Sequence, residues 1–381
     1  MNTLPLRKLG ALPVAQFMRD AWQRRPLLVR NALPGFVPPV GTRQLLELAR
    51  SPEAEARLIE RADVTWKVSH GPFRRLPSPR RPHWTVLVQG VDLLDAGAHA
   101  LLQRFRFVPD ARLDDLMVSY ATDGGGVGPH VDSYDVFLLQ AHGRRRWRIS
   151  RQRDLRLVDG APLRLLANFR PSAEYILEPG DMLYLPPGVA HEGTALGECL
   201  TYSIGFRAPT YEELLEPMLT DFAAHAKLRG RYSDRGLKPT RHPAALPKGM
   251  LRTAHAELVA PRPRQSDTAR FLLCYLSEPK AQVVFERPLR PLRAAAFQAA
   301  VHRRGVILDR RTRMLYYRGA AGINGEHETL EPEARVPVQR LADARGLAPA
   351  VLQGATAATF ASLHRWYVAG WLHIAHGNSH T

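Results

Sequence analysis

A histidine and an aspartate stand two positions apart in the segment GPHVDSYDVF, residues 128–137. From Val131 the chain is rich in β-branched and aromatic residues, and the glycine and proline before it are typical of a turn that enters a strand. Side chains alternate between the two faces of a strand, so His130, Asp132 and Tyr134 are predicted to share one face. The backbones of His130 and Asp132 would lie about 6.6 Å apart, which lets both side chains reach one metal ion. A hydrogen-bonded surface pair is the alternative that this pattern leaves open, and for Tyr134 core packing is favoured.

The elements around this pair predict a β domain in the first half of the chain. Up to residue 206, short apolar strands alternate with turns rich in glycine and proline, which indicates a double-sheet jelly roll or barrel. The strand segments that follow residue 128 are VDSYDVFLLQ, RRWRIS, AEYILEPG, DMLYLPPG and ECLTYSIGF. Upstream, the pattern predicts a helix and a short strand in 14–33, helices in 41–50 and 93–105, and strands in 84–91 and 116–121.

The pattern changes at Pro209. Residues 210–228 are predicted to form a helix that opens with a Thr-x-x-Glu capping box, and its apolar stripe fits either packing on the barrel or a dimer interface. A second helix is expected at 248–259. After a Pro-rich linker, helices alternate with two short strands in 306–319 that would form a small hairpin, and this mixture suggests a winged-helix-like module. The expected α+β architecture therefore has three parts, residues 1–208, 209–262 and 263–381.

The composition limits the kind of protein this chain can be. A formal net charge of +17 over 381 residues suggests an acidic partner such as RNA. Only six of the 53 basic residues are lysines. A bias towards arginine that reflects genome composition is therefore the alternative explanation of the charge. Cys199 and Cys274 form no C-x-x-C pair, which argues against a disulfide framework or a structural zinc site. Without a signal peptide core or an apolar run of about 18 residues, we expect a cytoplasmic protein with no membrane partner.

A second histidine occurs in EPGDMLYLPPGVAHEG, residues 178–193. The spacing of its glycines, prolines and histidine resembles the second sequence box of the cupin superfamily, and residues 124–132 resemble the first box. The Pro-Pro-Gly segment would form a tight turn and place His191 at the start of the next strand. Two histidines and one carboxylate would then converge with half of an octahedral shell left open, as in the facial triad of non-haem Fe(II) oxygenases.

Longer segments resemble one family more closely. They are WQRRPLLVRNALPGF, GGGVGPHVDSYDVF, GRRRWRIS, PGDMLYLPPGVAHEG, YSIGFRAP and YSDRGLKPTRHPA. Together these segments resemble the bacterial ribosomal oxygenases, which are Jumonji-C-type, 2-oxoglutarate-dependent enzymes. The resemblance implies a double-stranded β-helix (cupin jelly roll) as catalytic domain, then a helical dimerisation region and a winged-helix-like C-terminal domain. It also implies a homodimer that hydroxylates an arginine of a large-subunit ribosomal protein, near ribosomal RNA.

The resemblance assigns roles to individual residues. His130, Asp132 and His191 would bind Fe(II), and Arg145 would bind the distal carboxylate of 2-oxoglutarate. Ser119 is a candidate hydroxyl partner for the same carboxylate, with a half-buried strand serine as the alternative. Thr201 and Ser203 are weaker candidates. The implied reaction consumes dioxygen, converts 2-oxoglutarate to succinate and carbon dioxide, and hydroxylates a substrate C–H bond.

Three other functions remain as alternatives. One is a Jumonji-C hydroxylase of another basic protein or of a small molecule. Another is a non-catalytic cupin that binds RNA or the ribosome, against which the triad together with Arg145 argues. The third is a winged-helix DNA-binding regulator, for which no helix carries clear base-reading residues.

Overall fold

The structure is a computed structural model that describes residues 4–63, 65–226, 231 and 244–375, and it divides into two units between Ala208 and Pro209. Of the segment YSDRGLKPTRHPA, residues 232–244, only the last residue lies within the described residues.

The elements of the first unit are β1 (Lys8–Leu9), β2 (Leu12–Pro13), α1 (Val14–Asp20), β3 (Leu27–Val29), α2 (Thr42–Leu48), β4 (Ala56–Ala62), β5 (Thr65–His70), β6 (Trp84–Val88), α3 (Val91–Leu94), α4 (Ala96–Gln103), β7 (Leu113–Ala121), β8 (His130–Val131), β9 (Asp135–Ser150), β10 (Ala173–Leu177), β11 (Met182–Leu185) and β12 (Ala190–Phe206).

Two long antiparallel strands organise the first unit. β9 has 16 residues and β12 has 17, and they pair along most of their lengths. The sheet runs in the order β3-β11-β9-β12-β7-β6-β4-β5, while β10 pairs with β9 and β8 pairs with β12. The segment RRWRIS, predicted as a separate strand, is the second half of β9. Apart from the strand predicted from Val131, the other predicted strands of this unit are confirmed, and the helix expected at 93–105 is divided between α3 and α4.

An aromatic cluster forms part of the core of the first unit. The ring of Phe17 in α1 lies 4.9 Å from that of Tyr184 in β11, and Phe137 in β9 lies 5.1 Å from Tyr184. All three side chains are almost completely buried. Burial of a ring of this size stabilises a fold by about 1.5–3 kcal/mol, so this cluster fixes α1 against the strands that lead to the metal-ligand candidates.

The strand predicted from Val131 is interrupted. β8 ends at Val131 and β9 begins at Asp135, so Asp132 and Tyr134 lie between the two strands. The carbonyl of Asp132 accepts a hydrogen bond at 3.0 Å from the backbone N–H of Gly188, in the turn before β12. This long-range bond replaces the regular strand pairing that the alternation assumed. Tyr134 is 39% exposed, so the prediction of core packing for this residue is wrong.

A buried hydrogen-bond network fixes the start of β9. The carboxylate of Asp135 is fully buried and accepts bonds from the Tyr184 hydroxyl at 2.5 Å, from Gln23 Nε2 at 2.9 Å and from Arg112 Nη2 at 3.0 Å. Because a buried carboxylate is stable only when it is paired and hydrogen-bonded, these partners determine where β9 begins. Asp132 is three residues upstream, so its position depends on this network.

The second unit contains helices and two small sheets. Its elements are α5 (Tyr211–His225), α6 (Lys248–Val259), α7 (Gln265–Ser277), α8 (Ala294–Arg304), β13 (Val306–Leu308), β14 (Met314–Tyr317), β15 (Ala320–Ile323), β16 (Glu326–Thr329), α9 (Pro332–Ala344), β17 (Gly346–Leu347), α10 (Pro349–Leu352), α11 (Ala357–Val368) and β18 (Leu372–Ile374). The predicted capping box is confirmed, since Thr210 and Glu213 exchange side-chain to backbone hydrogen bonds of 3.1 and 2.7 Å. Among the described helices, none has the length and apolar character needed to cross a membrane.

The two strands predicted at 306–319 exist but do not pair with each other. β13 lies between β17 and β18, whereas β14 pairs with β15 in a separate three-stranded sheet. At the end of β13, the N–H of Asp309 donates to the carbonyl of Trp371 at 2.9 Å, which keeps the strand end beside the segment leading into β18. The predicted hairpin is therefore wrong in its pairing, because the partners of β13 come from the C-terminal end of the chain.

Candidate metal site

Three potential metal ligands converge at the start of β12. His130 and His191 are paired across β8 and β12, and Asp132 follows directly after β8. Their ligand atoms all lie within 4.8 Å of one another. His130 Nε2 is 3.7 Å from one carboxylate oxygen of Asp132, and His191 Nε2 is 3.5 Å from the other. These distances are too long for hydrogen bonds, which disfavours the surface pair that the sequence left open. They suit donors that share one divalent ion, because bonds of about 2.1 Å place adjacent donor atoms about 3–3.6 Å apart.

The outer nitrogens of both imidazoles are held by backbone carbonyls. His130 Nδ1 lies 2.9 Å from the carbonyl oxygen of Gly128, and His191 Nδ1 lies 2.9 Å from that of Val189. A carbonyl oxygen only accepts, so each Nδ1 carries the proton and each Nε2 presents its lone pair. The backbone therefore sets both the ring orientation and the tautomer that metal binding requires.

The environment of His191 keeps its imidazole neutral. The side chain is almost completely buried, and this burial, together with the nearby His130, lowers the pKa of His191 to about 4, against the raising effect of Asp132. A neutral imidazole at neutral pH needs no deprotonation before it binds a metal.

A buried arginine lies on the strand next to His191. Arg145 in β9 is 3% exposed and pairs across the sheet with Ala195 of β12. Its Nη1 donates to Ser119 Oγ and to Thr201 Oγ1, each at 3.1 Å, and its Cζ lies 5.2 Å from the centre of the Trp147 ring. Burial lowers the pKa of Arg145. Within the part of the chain that the structure describes, Arg145 has no carboxylate partner and its Nε has no hydrogen-bond partner. A buried cation in this condition fits a site that receives an anion.

The polar side chains around Arg145 come from three strands, two of them with a hydroxyl group that contacts the guanidinium. Ser119 of β7 and Gln140 of β9 both stand opposite Thr201 of β12. Thr201 Oγ1 donates to Gln140 Oε1 at 3.0 Å while it accepts from Arg145. The structure thus brings Ser119 to Arg145, as expected for a shared anion site, and it gives Thr201 the same contact. Ser203, the other weak candidate, lies two residues farther along β12.

Gly193 is required by the close approach of Arg145 and Trp147. A Cβ at this position would lie 2.7 Å from the Trp147 ring and 3.0 Å from Arg145 Nε. We expect Gly193→Ala to lower the free energy of unfolding by about 1–3 kcal/mol, because both side chains would have to move in a closely packed interior. Chemical denaturation measures this change. Gly354→Ala, at a position with no atom within 4 Å of the added Cβ, is the control and should be nearly neutral. Equal stability of the two variants would contradict the packing argument.

Carboxylates collect on the side of the site that carries Tyr134. Burial and the charges of Asp132, Asp115 and Asp114 raise the pKa of Tyr134, while Arg57 acts in the opposite direction. A Cβ on Gly205 would lie 3.6 Å from Asp115 Oδ1 and 4.0 Å from the Tyr134 ring, so Asp115 and Tyr134 flank the same point of β12. Asp114 and Asp115 are not among the candidate residues that the sequence indicated. Their only signal was a pair of acidic residues at the start of an apolar strand.

Two family models match the chain. A JmjC domain model matches residues 100–214, and a ROXA-like winged helix model matches residues 261–373. The predicted α+β fold, a cupin jelly roll followed by a winged-helix-like domain, is thereby confirmed.

Curated relatives and solved structures agree with these models. The chain is 41% identical over 250 residues to the ribosomal protein uL16 3-hydroxylase of Escherichia coli, and the match covers 64% of this chain and 66% of that protein. It is 38% identical over 216 residues to a probable ribosomal oxygenase of Haemophilus influenzae, covering 54% of this chain and 52% of that one. The chain thus spans slightly less than two thirds of the length of the E. coli relative and about half the length of the H. influenzae relative.

Solved structures extend the similarity to nearly the whole chain. The X-ray structure of E. coli YcfD matches with a TM-score of 0.83 and 30% identity, covering 95% of this chain and 98% of that one. A structure of YcfD, described as a ribosomal oxygenase, in complex with cobalt and 2-oxoglutarate matches with a TM-score of 0.80 and the same identity and coverage.

Proposed function

The chain belongs to the family of Jumonji-C ribosomal oxygenases, and from this we propose that it is an Fe(II)- and 2-oxoglutarate-dependent hydroxylase of an arginine side chain in ribosomal protein uL16. The observation that carries the proposal is the convergence of His130, Asp132 and His191 beside a buried arginine without a carboxylate partner. The ribosomal target rests on the name of the E. coli relative, and the arginine rests on the family resemblance and on the charge of the site.

The residues present fit the metal and the co-substrate. Two imidazoles and one carboxylate are the donor set that non-haem Fe(II) oxygenases use, with open positions for other ligands. Bound together, iron and 2-oxoglutarate supply the oxidising power that inserts an oxygen atom from dioxygen into a C–H bond as 2-oxoglutarate becomes succinate and carbon dioxide. His130, Asp132 and His191 would hold the metal, and the tautomers fixed by Gly128 and Val189 keep both imidazoles ready to bind.

Arg145 would hold the distal carboxylate of 2-oxoglutarate. Its guanidinium offers planar donors to a carboxylate, and its Nε has no hydrogen-bond partner among the described residues. Ser119 and Thr201 orient the guanidinium through Nη1 and bring hydroxyl groups to the same place. Because this site is buried among apolar strands, water competes weakly for the carboxylate and the ion pair is stronger than at a surface.

The acidic side of the site favours a cationic substrate group. Asp115 and Asp132 lie near the half-exposed ring of Tyr134, next to the candidate metal ligands, while Asp114 already pairs with Arg207 at 3.3 Å. An arginine side chain presents a charge to these carboxylates and a flat face to the tyrosine ring. This arrangement supports arginine over a neutral side chain as the group that enters the site.

The experiment that tests the function uses uL16 from cells that lack this protein. The substrate is incubated with purified enzyme, Fe(II), 2-oxoglutarate and air, and intact mass is measured before and after. We expect one added oxygen atom, placed on an arginine by tandem mass spectrometry and absent with His130→Ala. Succinate without a mass change would retain the chemistry and reject uL16 as the target. Neither succinate nor a mass change would favour a non-catalytic binding protein.

We also propose that α5 and α6 form a homodimer interface. None of their residues is fully buried, and apolar side chains are exposed on both helices, including Leu215 at 57%, Leu219 at 51%, Leu251 at 59% and Leu258 at 70%. Single helices gain most of their stability from packing an apolar face, so these residues support a partner surface.

If α5 forms the dimer interface, placing charged side chains on its apolar face should halve the mass of the particle in solution. Leu215→Lys combined with Leu219→Lys should convert a dimer into a monomer in sedimentation velocity at micromolar concentration, because two buried ammonium groups would be unpaired. Thr220→Lys combined with Ala224→Lys also adds two ammonium groups, but at exposed positions on the other side of α5, and this control should remain dimeric. A wild-type protein that sediments only as a monomer would reject the proposal.

A further inference from the structure

Two chain segments meet beside the histidine ligand candidate His130. They are residues 56–83, which include β4 and β5, and residues 151–172, between β9 and β10; we call them together the entrance rim. Trp66 of the first segment and Leu165 of the second both pack against Gly128, where a Cβ would lie 3.0 Å from the tryptophan ring and 2.6 Å from the leucine methyl. The carbonyl of Gly128 holds His130 Nδ1, so the rim borders the site directly.

The rim is strongly basic. Residues 56–83 contain seven arginines and lysines but two acidic residues, and residues 151–172 contain five arginines and two aspartates. Two of these four acidic groups are engaged, since Glu60 pairs with Arg81 at 2.9 Å and Asp154 pairs with Arg156 at 2.8 Å.

Several rim arginines remain available to a ligand. Arg74, Arg80 and Arg164 are exposed and form no ion pair with any residue that the structure describes. Exposed cations that lack a protein carboxylate, carried on two segments that meet at Gly128, form the electrostatic footprint of a polyanion.

The positive charge of the rim is opposite in sign to the carboxylates next to the candidate metal ligands. The carboxylates near Tyr134 suit one cationic side chain, but a protein that binds ribosomal RNA carries basic surfaces, which the rim would repel. A phosphate backbone running between the two basic surfaces would remove this repulsion and release counterions. We propose that the entrance rim binds RNA, so that the enzyme engages its substrate protein while that protein is bound to RNA. RNA binding itself does not depend on the proposed function, whereas the consequence for the substrate rests on it.

The test compares two variants of the full-length protein with the same change of charge. Arg74→Glu, Arg80→Glu and Arg164→Glu are combined in a rim variant. Arg262→Glu, Arg290→Glu and Arg293→Glu are combined in a control variant, since these three arginines of the second unit are also exposed and without an ion pair among the described residues. Fluorescence anisotropy with a labelled hairpin of large-subunit ribosomal RNA, without iron or 2-oxoglutarate, measures binding at several salt concentrations.

The rim variant is expected to bind the hairpin at least about tenfold more weakly. Its slope of log affinity against log salt should be smaller by about 2–3, because each of three lost phosphate contacts contributes about 0.7 on a single strand and about 0.9 on a duplex. The control variant should stay within about twofold of the wild type. Both variants should hydroxylate a free uL16 peptide at the wild-type rate, which also shows that they are folded. The rim variant should be slower only on uL16 bound to RNA.

Three results would overturn the proposal. They are an unchanged affinity of the rim variant, an equal loss in the control variant, and displacement of the RNA by polyglutamate at the same charge concentration. The second would mean that net charge alone attracts RNA, and the third would assign the rim to acidic peptides. Failure of the wild type to hydroxylate the free peptide would instead contradict the proposed function, because RNA binding is measured separately.

Discussion

The Asp132→Ala variant is expected to lose hydroxylation by about a thousandfold or more and to bind cobalt(II) at least about a hundredfold more weakly than the wild type. Asp132 is the one anionic donor among the three candidate ligands, and its two oxygens face the Nε2 atoms of His130 and His191. Removal of a group that only orients a ligand costs about 10–100-fold in metal affinity, so removal of a ligand should cost more.

Some metal binding should remain in this variant. Burial and the charge of His130 hold the pKa of His191 near 4, and Asp132 is the group that raises it. Without Asp132 the imidazole of His191 is therefore still neutral and able to donate its lone pair. Isothermal titration with cobalt(II) and mass spectrometry of the substrate measure the two losses separately.

The control for Asp132→Ala removes a carboxylate elsewhere. Asp154 lies in the loop between β9 and β10 and pairs with Arg156 at 2.8 Å. Asp154→Ala changes the charge by the same amount and should leave cobalt affinity and hydroxylation nearly unchanged, because an exposed ion pair contributes little. Wild-type cobalt affinity in Asp132→Ala would show that the three residues do not form the metal site.

Local patterns predicted the elements that carry the candidate ligands. His191 follows a Pro-Pro-Gly turn, and the structure places it at the start of β12 as expected. Arg145 lies between an exposed Arg144 and a half-buried Arg146, as the alternation of side chains along a strand requires. These features depend on neighbouring residues, whose spacing is visible in one sequence.

Features that depend on contacts between residues far apart in the chain could not be predicted from local spacing. The position of Thr201 opposite Ser119 and Gln140 follows from the register of three strands, and a single sequence does not determine that register. The interruption after Val131 depends on the bond between Gly188 and Asp132 across a turn far along the chain. Local spacing therefore indicates the candidate ligands, whereas the contacts that arrange them depend on the fold.

The Arg145→Met variant is expected to raise the concentration of 2-oxoglutarate needed for half-saturation by about a hundredfold. A hydrogen-bonded charge in a buried site contributes about 2–5 kcal/mol to binding, and about 2.7 kcal/mol corresponds to this factor. Methionine has a similar length and no charge, so the space of the side chain stays largely filled. Titration of 2-oxoglutarate in a succinate assay measures the effect.

The same variant should not be less stable when the co-substrate is absent. Arg145 is buried without a carboxylate partner among the described residues, so its charge costs free energy that an apolar side chain of similar volume does not. The melting temperature without ligand should therefore be unchanged or higher than that of the wild type. With metal and 2-oxoglutarate the wild type should gain stability, by about 2.7 kcal/mol at a concentration one hundred times Kd, and the variant should gain little.

The neighbouring residue gives the matched control for this prediction. Arg144 stands on the same strand but is exposed, and Arg144→Met removes the same charge without reaching the interior. It should leave both the 2-oxoglutarate titration and the ligand-induced gain in melting temperature as in the wild type. A structural role for Arg145 would lower stability with and without ligand alike, whereas an anion-binding role removes only the gain on ligand addition. Wild-type saturation by 2-oxoglutarate in Arg145→Met would reject the anion-binding role, because no other buried cation lies beside the triad in the described part of the chain.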